Sequence, residues 1–159
     1  MPRCILVVDD EAHILQVMSL KLRNAGYQVI TAVDGEEGFE FALRDRPDLI
    51  ITDYQMPYMT GLELCKALAG DAATAAIPVI MLTARGYALD PEDLALGNIR
   101  QVLSKPFSPR AIVEQIENLF AQVAASGSHA LPSSGSASSA TAPTRADGHH
   151  TNTPIGEAA

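Results

Sequence analysis

Cysteines, basic runs and long apolar stretches are scarce in this sequence, and each shortage excludes a class of protein. Its two cysteines, Cys4 and Cys65, lie in apolar segments without metal-ligand spacing, so we predict buried free thiols and not a disulfide or redox pair. No stretch approaches the roughly 18 apolar residues of a membrane helix. Met1 is followed almost at once by an apolar run, which leaves no room for a signal peptide. We therefore expect a cytoplasmic protein without a membrane partner.

Basic residues are outnumbered, since 11 lysines and arginines stand against 19 aspartates and glutamates and give a formal charge of −8. Binding to nucleic-acid backbones needs clustered Lys and Arg, so we expect no direct nucleic-acid partner.

Apolar residues are unevenly spread along the chain. Val, Ile, Leu and Phe are frequent up to Ala125, whereas Ser, Thr, Ala, Gly and Pro dominate from Ser126 to the end. Such a segment cannot bury enough apolar surface to offset the entropy lost on ordering. We therefore predict one folded domain over residues 1–125 and a disordered tail over residues 126–159.

Short apolar runs alternate with helical patterns within the predicted domain. Five runs are typical of buried strands: Cys4–Val8, Val29–Ala32, Leu49–Asp53, Pro78–Leu82 and Gln101–Leu103. Five amphipathic segments separate and follow them, one of which starts with a capping box of Thr60 and Glu63. This alternation requires a parallel sheet covered on both faces. With right-handed connections, we predict a flavodoxin-like, doubly wound five-stranded α/β fold in strand order 2-1-3-4-5.

Polar side chains follow the predicted strands at the edge where open α/β sheets bind ligands. These residues are Asp9 and Asp10 after the first strand, Asp53 at the end of the third, Thr83 after the fourth and Lys105 after the fifth. In the predicted strand order, all five side chains converge on one crevice. Asp9 or Asp10 could in addition cap the helix that follows.

Three carboxylates this close together need a compensating cation if they are to stay ionised. Mg²⁺ suits them because it prefers oxygen ligands. On the facing side, Lys105 and Thr83 could each bind one oxygen of a phosphoryl group, and the backbone N–H of Ala84 could bind a third. This arrangement favours phosphoryl transfer to Asp53 as the nucleophile, with an aspartyl phosphate as product.

From about Arg3 to Phe120, the chain resembles a receiver domain of two-component response regulators. The motifs that carry the resemblance are Asp9-Asp10, Asp53 followed by Met56-Pro57 and Gly61, Thr83-Ala84, and Lys105-Pro106-Phe107. By that resemblance Asp53 is the phosphoacceptor. Four residues would then bind Mg²⁺: Asp10 and Asp53 directly, Asp9 partly through water, and Gln55 by its backbone carbonyl.

The resemblance also implies partners and a switch. A sensor histidine kinase or a phosphotransfer protein would donate the phosphoryl group, and Thr83 and Lys105 would then close on it. A downstream protein target would read the resulting change of surface. The Lys105–Pro106 peptide bond would be cis. We expect a stand-alone receiver, with no attached output domain and no enzymatic activity beyond its own phosphorylation and dephosphorylation.

A departure from the family's pattern at Val102 and two alternatives accompany this interpretation. Val102 stands where the family usually has an aromatic residue. A degenerate receiver would bind partners without phosphorylation, although the intact set of acids, threonine and lysine argues against it. A haloacid-dehalogenase-type phosphatase also uses an aspartate at a strand end as nucleophile. That class needs a second Asp two residues on, and Gln55 occupies this position here.

Overall fold

A computed structural model describes residues 2–84 and 89–129 of the chain, with side chains as far as residue 125. Within these residues, five strands alternate with five helices. The strands are β1 (Cys4–Val8), β2 (Gln28–Ala32), β3 (Leu49–Asp53), β4 (Val79–Thr83) and β5 (Ile99–Ser104). The helices are α1 (Ala12–Asn24), α2 (Gly35–Asp45), α3 (Gly61–Ala69), α4 (Pro91–Leu94) and α5 (Pro109–His129). The sheet belongs to a compact unit that runs to Leu119.

All five strands pair in parallel in the order β2-β1-β3-β4-β5, which confirms the predicted fold class and strand order. β3 lies between β1 and β4, and every residue of β3 and β4 is buried. A parallel sheet with helices on both faces buries side chains in both directions, which explains why these strands are continuous apolar runs. The carboxyl ends of β1, β3 and β4 are therefore neighbours at one edge of the sheet.

The start of α3 is built as the sequence predicts. The N–H of Glu63 donates to Thr60 Oγ1 at 3.1 Å, and the N–H of Thr60 donates to Glu63 Oε1 at 3.2 Å. These two bonds form the predicted capping box, which satisfies two N–H groups that would otherwise lack a partner. The box fixes where α3 begins, eight residues beyond β3.

The start of α1 corrects the prediction that Asp9 or Asp10 caps it. The N-cap residue is Glu11, and neither aspartate occupies that position. Asp9 Oδ1 instead accepts the N–H of Glu11 at 2.9 Å, which is the turn that an aspartate forms with the backbone two residues on. The chain thus turns at the sheet edge before the helix starts.

Other boundaries differ from the predicted ones by a few residues. β5 begins at Ile99, two residues before its predicted start. Val79 pairs with Ile99 but Ile80 pairs with Gln101, so the register shifts by one residue at Arg100. This polar residue at an irregular position interrupts the apolar pattern by which the strand was predicted. α4 is a single turn that ends at Leu94. α5 continues to His129, past the predicted boundary after Ala125. The rest of the predicted tail lies outside the described residues, so the domain boundary stays a prediction.

Both cysteines are free, as predicted. Cys65 is fully buried on α3, whereas Cys4 is half-buried at the start of β1. Val102, at the family's usual aromatic position, is half-buried and packs against the core. In the part of the chain that the structure describes, no helix is both long and apolar enough to cross a bilayer.

Candidate functional site

Three carboxylates meet where β1 and β3 end. One oxygen from each of Asp9, Asp10 and Asp53 lies within 4.8 Å of the other two. Asp9 and Asp53 are buried, with 1% and 6% of their surface exposed, whereas Asp10 faces solvent. The pairing of Val8 with Thr52 aligns the two strands, so the residues that follow them emerge side by side. The structure thus brings together the three acids that the sequence pattern predicted to converge.

Lys105 supplies the positive charge of this cluster. Its Nζ donates to Asp53 Oδ1 at 3.0 Å and lies 3.9 Å from Asp9 Oδ2. The Lys105 backbone N–H donates to the carbonyl oxygen of Thr83 at 2.8 Å, which holds the lysine beside the end of β4. The Lys105–Pro106 peptide bond is cis, as predicted.

Thr83 is completely buried at the end of β4, and its hydroxyl oxygen has no hydrogen-bond partner among the described residues. A buried hydroxyl without a partner costs free energy, and a ligand that formed a hydrogen bond with it would remove that cost. Ala84 and Gln55 follow β4 and β3 at the same edge of the sheet, and both are exposed. Their predicted roles, an N–H donor and a carbonyl ligand, stay predictions.

The surroundings of the cluster disfavour the ionised form of the buried carboxylates. Burial raises the pKa of Asp9 to about 6, against the hydrogen bond from Glu11, and the charge of Asp53 adds to the rise. Burial also raises the pKa of Asp53, although the hydrogen bond from Lys105 opposes this rise. Burial disfavours the Lys105 ammonium, but its hydrogen bond to Asp53 and the surrounding carboxylates raise its pKa. The site therefore favours cations.

The donor set fits a hard divalent cation. Asp9 Oδ2 is buried and accepts no hydrogen bond from the described residues, and the other two acids each bring an oxygen within ligand range. Divalent cations such as Mg²⁺ take carboxylate oxygens as ligands, and their charge offsets the desolvation that raises the pKa of Asp9. Asp9, Asp10 and Asp53 are thus the residues that would hold a metal ion.

Without divalent cations, we expect the protein to become more stable as the pH falls from 7 to 5. The Asp9 pKa is about 6 in the folded chain, against an ordinary value of 3.8. Between these values the folded state binds more protons than the unfolded state, so the free energy of unfolding falls as the pH rises. The expected difference is about 1.3 kcal/mol. Urea unfolding curves in a chelator at pH 5 and pH 7 measure it.

Two controls accompany the pH experiment. The variant Asp9→Asn removes the titrating group, so its free energy of unfolding should vary much less over the same range. Saturating Mg²⁺ should also flatten the wild-type dependence, because a bound cation favours the carboxylates. A wild-type protein that loses stability between pH 7 and pH 5 in chelator would contradict the electrostatic account of this site.

Gly61 allows the first turn of α3 to lie directly on the backbone of Asp53. Its N–H donates to the carbonyl oxygen of Tyr54 at 2.8 Å. A Cβ at position 61 would collide with the carbonyl oxygen of Asp53 and would lie 3.0 Å from the Sδ of Met81. The sequence motif contains this glycine, but the contact that requires it is visible in the structure alone.

Glu11 is a residue of the site that the sequence analysis did not assign. Its Oε1 lies 3.9 Å from Lys105 Nζ, so the ammonium has a third carboxylate near it besides those of Asp53 and Asp9. The feature of the sequence that could have indicated Glu11 is its position as a third acid directly after Asp9 and Asp10. A role for Glu11 depends on how the loop after β5 approaches α1, which the sequence pattern does not reveal.

The fold and this cluster together define a class of protein, a doubly wound α/β domain with three carboxylates and a lysine at the carboxyl edge of its sheet. Over residues 5–117, the chain matches the family model described as the response regulator receiver domain. The chain belongs to this family, which confirms the resemblance drawn from its motifs.

Curated relatives extend well beyond the matched region. The alkaline phosphatase synthesis transcriptional regulatory protein PhoP of Bacillus subtilis is 40% identical over 118 residues, which cover 74% of this chain and 48% of that protein. The DNA-binding dual master transcriptional regulator RpaA of Synechocystis is 39% identical over 119 residues, which cover 75% and 49%. The chain thus spans about half the length of the curated relatives it matches, and the stand-alone organisation stays a prediction.

Solved structures match the described fold over nearly their whole length. The chemotaxis response regulator CheY4 of Vibrio cholerae is similar with a TM-score of 0.68 and 35% identity, over 74% of this chain and 98% of that chain. A putative response regulator from Chloroflexus aurantiacus gives a TM-score of 0.67 and 34% identity, over 76% and 99%. The receiver fold is therefore the architecture of the described residues.

Proposed function

We propose that this chain is a phosphorylation-dependent switch in which Asp53 accepts a phosphoryl group from a phosphorylated histidine of a partner protein. The partner would be a sensor histidine kinase or a phosphotransfer protein. One observation carries the proposal. A buried carboxylate, Asp53, lies 3.0 Å from the Lys105 ammonium and within 4.8 Å of two further acids. It is also close to the end of β4, where the Thr83 hydroxyl has no hydrogen-bond partner among the described residues.

The chemistry is a transfer between two nucleophiles. A carboxylate oxygen of Asp53 forms a bond to phosphorus while the bond between phosphorus and the histidine nitrogen breaks, and that electron pair stays on the nitrogen. Mg²⁺, when bound by Asp9, Asp10, Asp53 and the Gln55 carbonyl, would supply positive charge for the carboxylates and the phosphoryl oxygens.

Lys105 and Thr83 would bind the product. The Lys105 ammonium is already paired with Asp53 and can follow the negative charge onto a phosphoryl oxygen. The Thr83 hydroxyl gains the partner that it lacks within the described residues, and the backbone N–H of Ala84 can bind a further oxygen. These new contacts would favour one of two conformations of the surface that includes β4 and β5. The proposed switch is thus a shift between two populations.

The output follows from the same proposal. A downstream protein would recognise the switched surface, and the chain would act in the cytoplasm as a binding module without a membrane or nucleic-acid contact of its own. It would catalyse its own phosphorylation and dephosphorylation and no further reaction. Two relatives are named as transcriptional regulators, but for this chain we propose output through a separate protein.

Phosphoryl uptake from a small donor tests the proposal. The chain is incubated with phosphoramidate, with Mg²⁺ or with a chelator, and its intact mass is measured. We expect the mass of one phosphoryl group to be added when Mg²⁺ is present and little addition in the chelator. Mg²⁺ binding is measured separately by calorimetry. Binding of Mg²⁺ without any phosphoryl addition would favour the degenerate receiver, which binds partners without phosphorylation.

A further inference from the structure

The outer edge of β2 has no neighbouring strand within the described residues. β2 comes first in the strand order, and β1 alone lies beside it there. Exposed strand edges are usually protected against further pairing by proline or by charged side chains. β2 has the sequence Gln-Val-Ile-Thr-Ala and contains neither. Its edge can therefore form backbone hydrogen bonds with a further strand.

The outward-facing backbone groups of β2 belong to Val29 and Thr31. In a parallel ladder, alternate residues of a strand bond to the neighbour on one side. The N–H of Gln28 donates to the carbonyl oxygen of Arg3 at 2.9 Å, which assigns positions 28, 30 and 32 to the side of β1. The N–H and C=O groups of the two positions between them therefore point away from the sheet.

Opposite charges lie at the two ends of β2. At the amino end, Arg23 of α1 places a guanidinium nitrogen 3.5 Å from the carbonyl oxygen of Val29. Past the carboxyl end, Asp34 caps α2 with its carboxylate, and Glu36 and Glu37 follow it in the first turn. A second copy added in parallel would place like charges together. A second copy added antiparallel places the basic end of each strand beside the acidic end of the other.

We propose that the outer edge of β2 pairs antiparallel with β2 of a second copy of this chain, about a two-fold axis at Ile30. Val29 of each copy then faces Thr31 of the other and exchanges N–H···O bonds with it. A pairing centred on Thr31 would instead need the N–H of Val33, which already donates to Glu37 Oε1 at 3.0 Å. Because both copies use the same edge, the contact closes as a dimer.

A groove between α1 and β2 adds apolar contact to this pairing. Its volume is about 300 Å³, and its lining includes Leu15 and Leu20 of α1 and Thr31 of β2. Leu20 is 63% exposed. Side chains that lie opposite each other in paired strands project from the same face of the sheet, so Val29 of the second copy reaches this groove opposite Thr31. Burial of the Leu20 side chain against it stabilises the dimer.

Hydrogen exchange at low and high protein concentration locates the contact. The full chain is studied by NMR at physiological ionic strength, where a Debye length of about 8 Å limits the repulsion between copies of formal charge −8. We expect the amide exchange of Val29 and Thr31 to slow about tenfold once about nine-tenths of the chain is dimeric. The amides of Gln28 and Ile30, which face β1, should change little and serve as internal controls.

Thr31→Pro tests the hydrogen bonds between the copies. Proline removes the outward N–H without removing a bond to β1, and edge strands tolerate proline at such positions. Since each copy loses one donor, the dissociation constant of the dimer, measured by sedimentation equilibrium, should rise at least about tenfold. The matched control is Thr31→Val, which keeps the N–H and the shape of the side chain and should dimerise like the wild type.

Asp34→Asn tests the charges at the ends of β2. Asparagine keeps an oxygen that can cap α2 but removes the charge that faces Arg23 of the second copy, so the dissociation constant should rise about threefold. A chain that sediments as a monomer at every concentration, or a dimer that Thr31→Pro does not weaken, would overturn the inference. Exchange that slows with concentration only outside β2 would overturn it as well. The proposed function would stand in each case, because the acceptor lies two strands away from this edge.

Discussion

Replacing Asp53 by asparagine is expected to abolish phosphoryl uptake, with labelling falling to about one hundredth of the wild-type level or less. Asparagine has nearly the same shape as aspartate, but its amide is a poor nucleophile. Burial and the nearby Asp10 raise the pKa of Asp53, which means that the folded chain disfavours the charged carboxylate. A neutral asparagine at this position avoids that free-energy cost. The variant should therefore fold and yet remain unlabelled by phosphoramidate at saturating Mg²⁺, as measured by intact mass.

The control for this variant is Asp90→Asn, which makes the same change at an exposed position. Asp90 precedes α4 without a capping bond from its side chain to the described residues. We expect wild-type labelling in this control and a far-ultraviolet circular dichroism spectrum of the wild-type form in both variants. Labelling of Asp53→Asn at the wild-type level would mean that another residue is the acceptor.

Replacing Gly61 by alanine is expected to lower the free energy of unfolding by about 3 kcal/mol or more. The added Cβ would collide with the Asp53 carbonyl oxygen, a backbone atom that cannot rotate away, and would press on Tyr54 Cα at 3.0 Å. Relief requires α3 to move away from β3, which breaks the bond from the Gly61 N–H to Tyr54 and shifts the backbone of the proposed acceptor. Urea unfolding curves measure the stability, and phosphoryl uptake should fall in the molecules that remain folded.

Gly70→Ala is the matched control, since Gly70 ends the same helix. A Cβ at position 70 would meet backbone oxygens of Lys66 and Ala67 at 3.5 and 3.6 Å, which is ordinary contact, and its φ of −81° suits any residue. We expect the stability to change by less than about 1 kcal/mol. Equal losses in the two variants would show that the effect comes from helix propensity and not from the contact with Asp53.

The sequence predicts the sheet and the acids well because both depend on short, local patterns. β3 and β4 are buried on both faces, so their apolar runs are continuous and end where the polar residues begin. Right-handed connections then leave few strand orders, and the neighbouring ends of β1 and β3 bring Asp9 and Asp53 together.

The features that the sequence did not predict depend on contacts between distant segments. Asp9 accepts the N–H of Glu11 in a turn and does not cap α1, because the chain turns at the sheet edge before the helix begins. β5 includes Arg100 and an irregular register, which break the apolar pattern. The ion pair of Glu11 with Lys105 joins residues that are far apart in sequence, and nothing in the local pattern at either position indicates it.

Locating the phosphorylated residue tests the proposed function most directly. The wild-type chain is labelled with phosphoramidate at saturating Mg²⁺ and treated with borohydride, which reduces an aspartyl phosphate to homoserine. Peptide mass spectrometry then locates the converted residue. We predict homoserine at the position of Asp53 and at no other carboxylate, with the conversion lost in a chelator. Conversion at a different aspartate, or none in protein that binds Mg²⁺, would contradict the assignment of Asp53 as the phosphoacceptor.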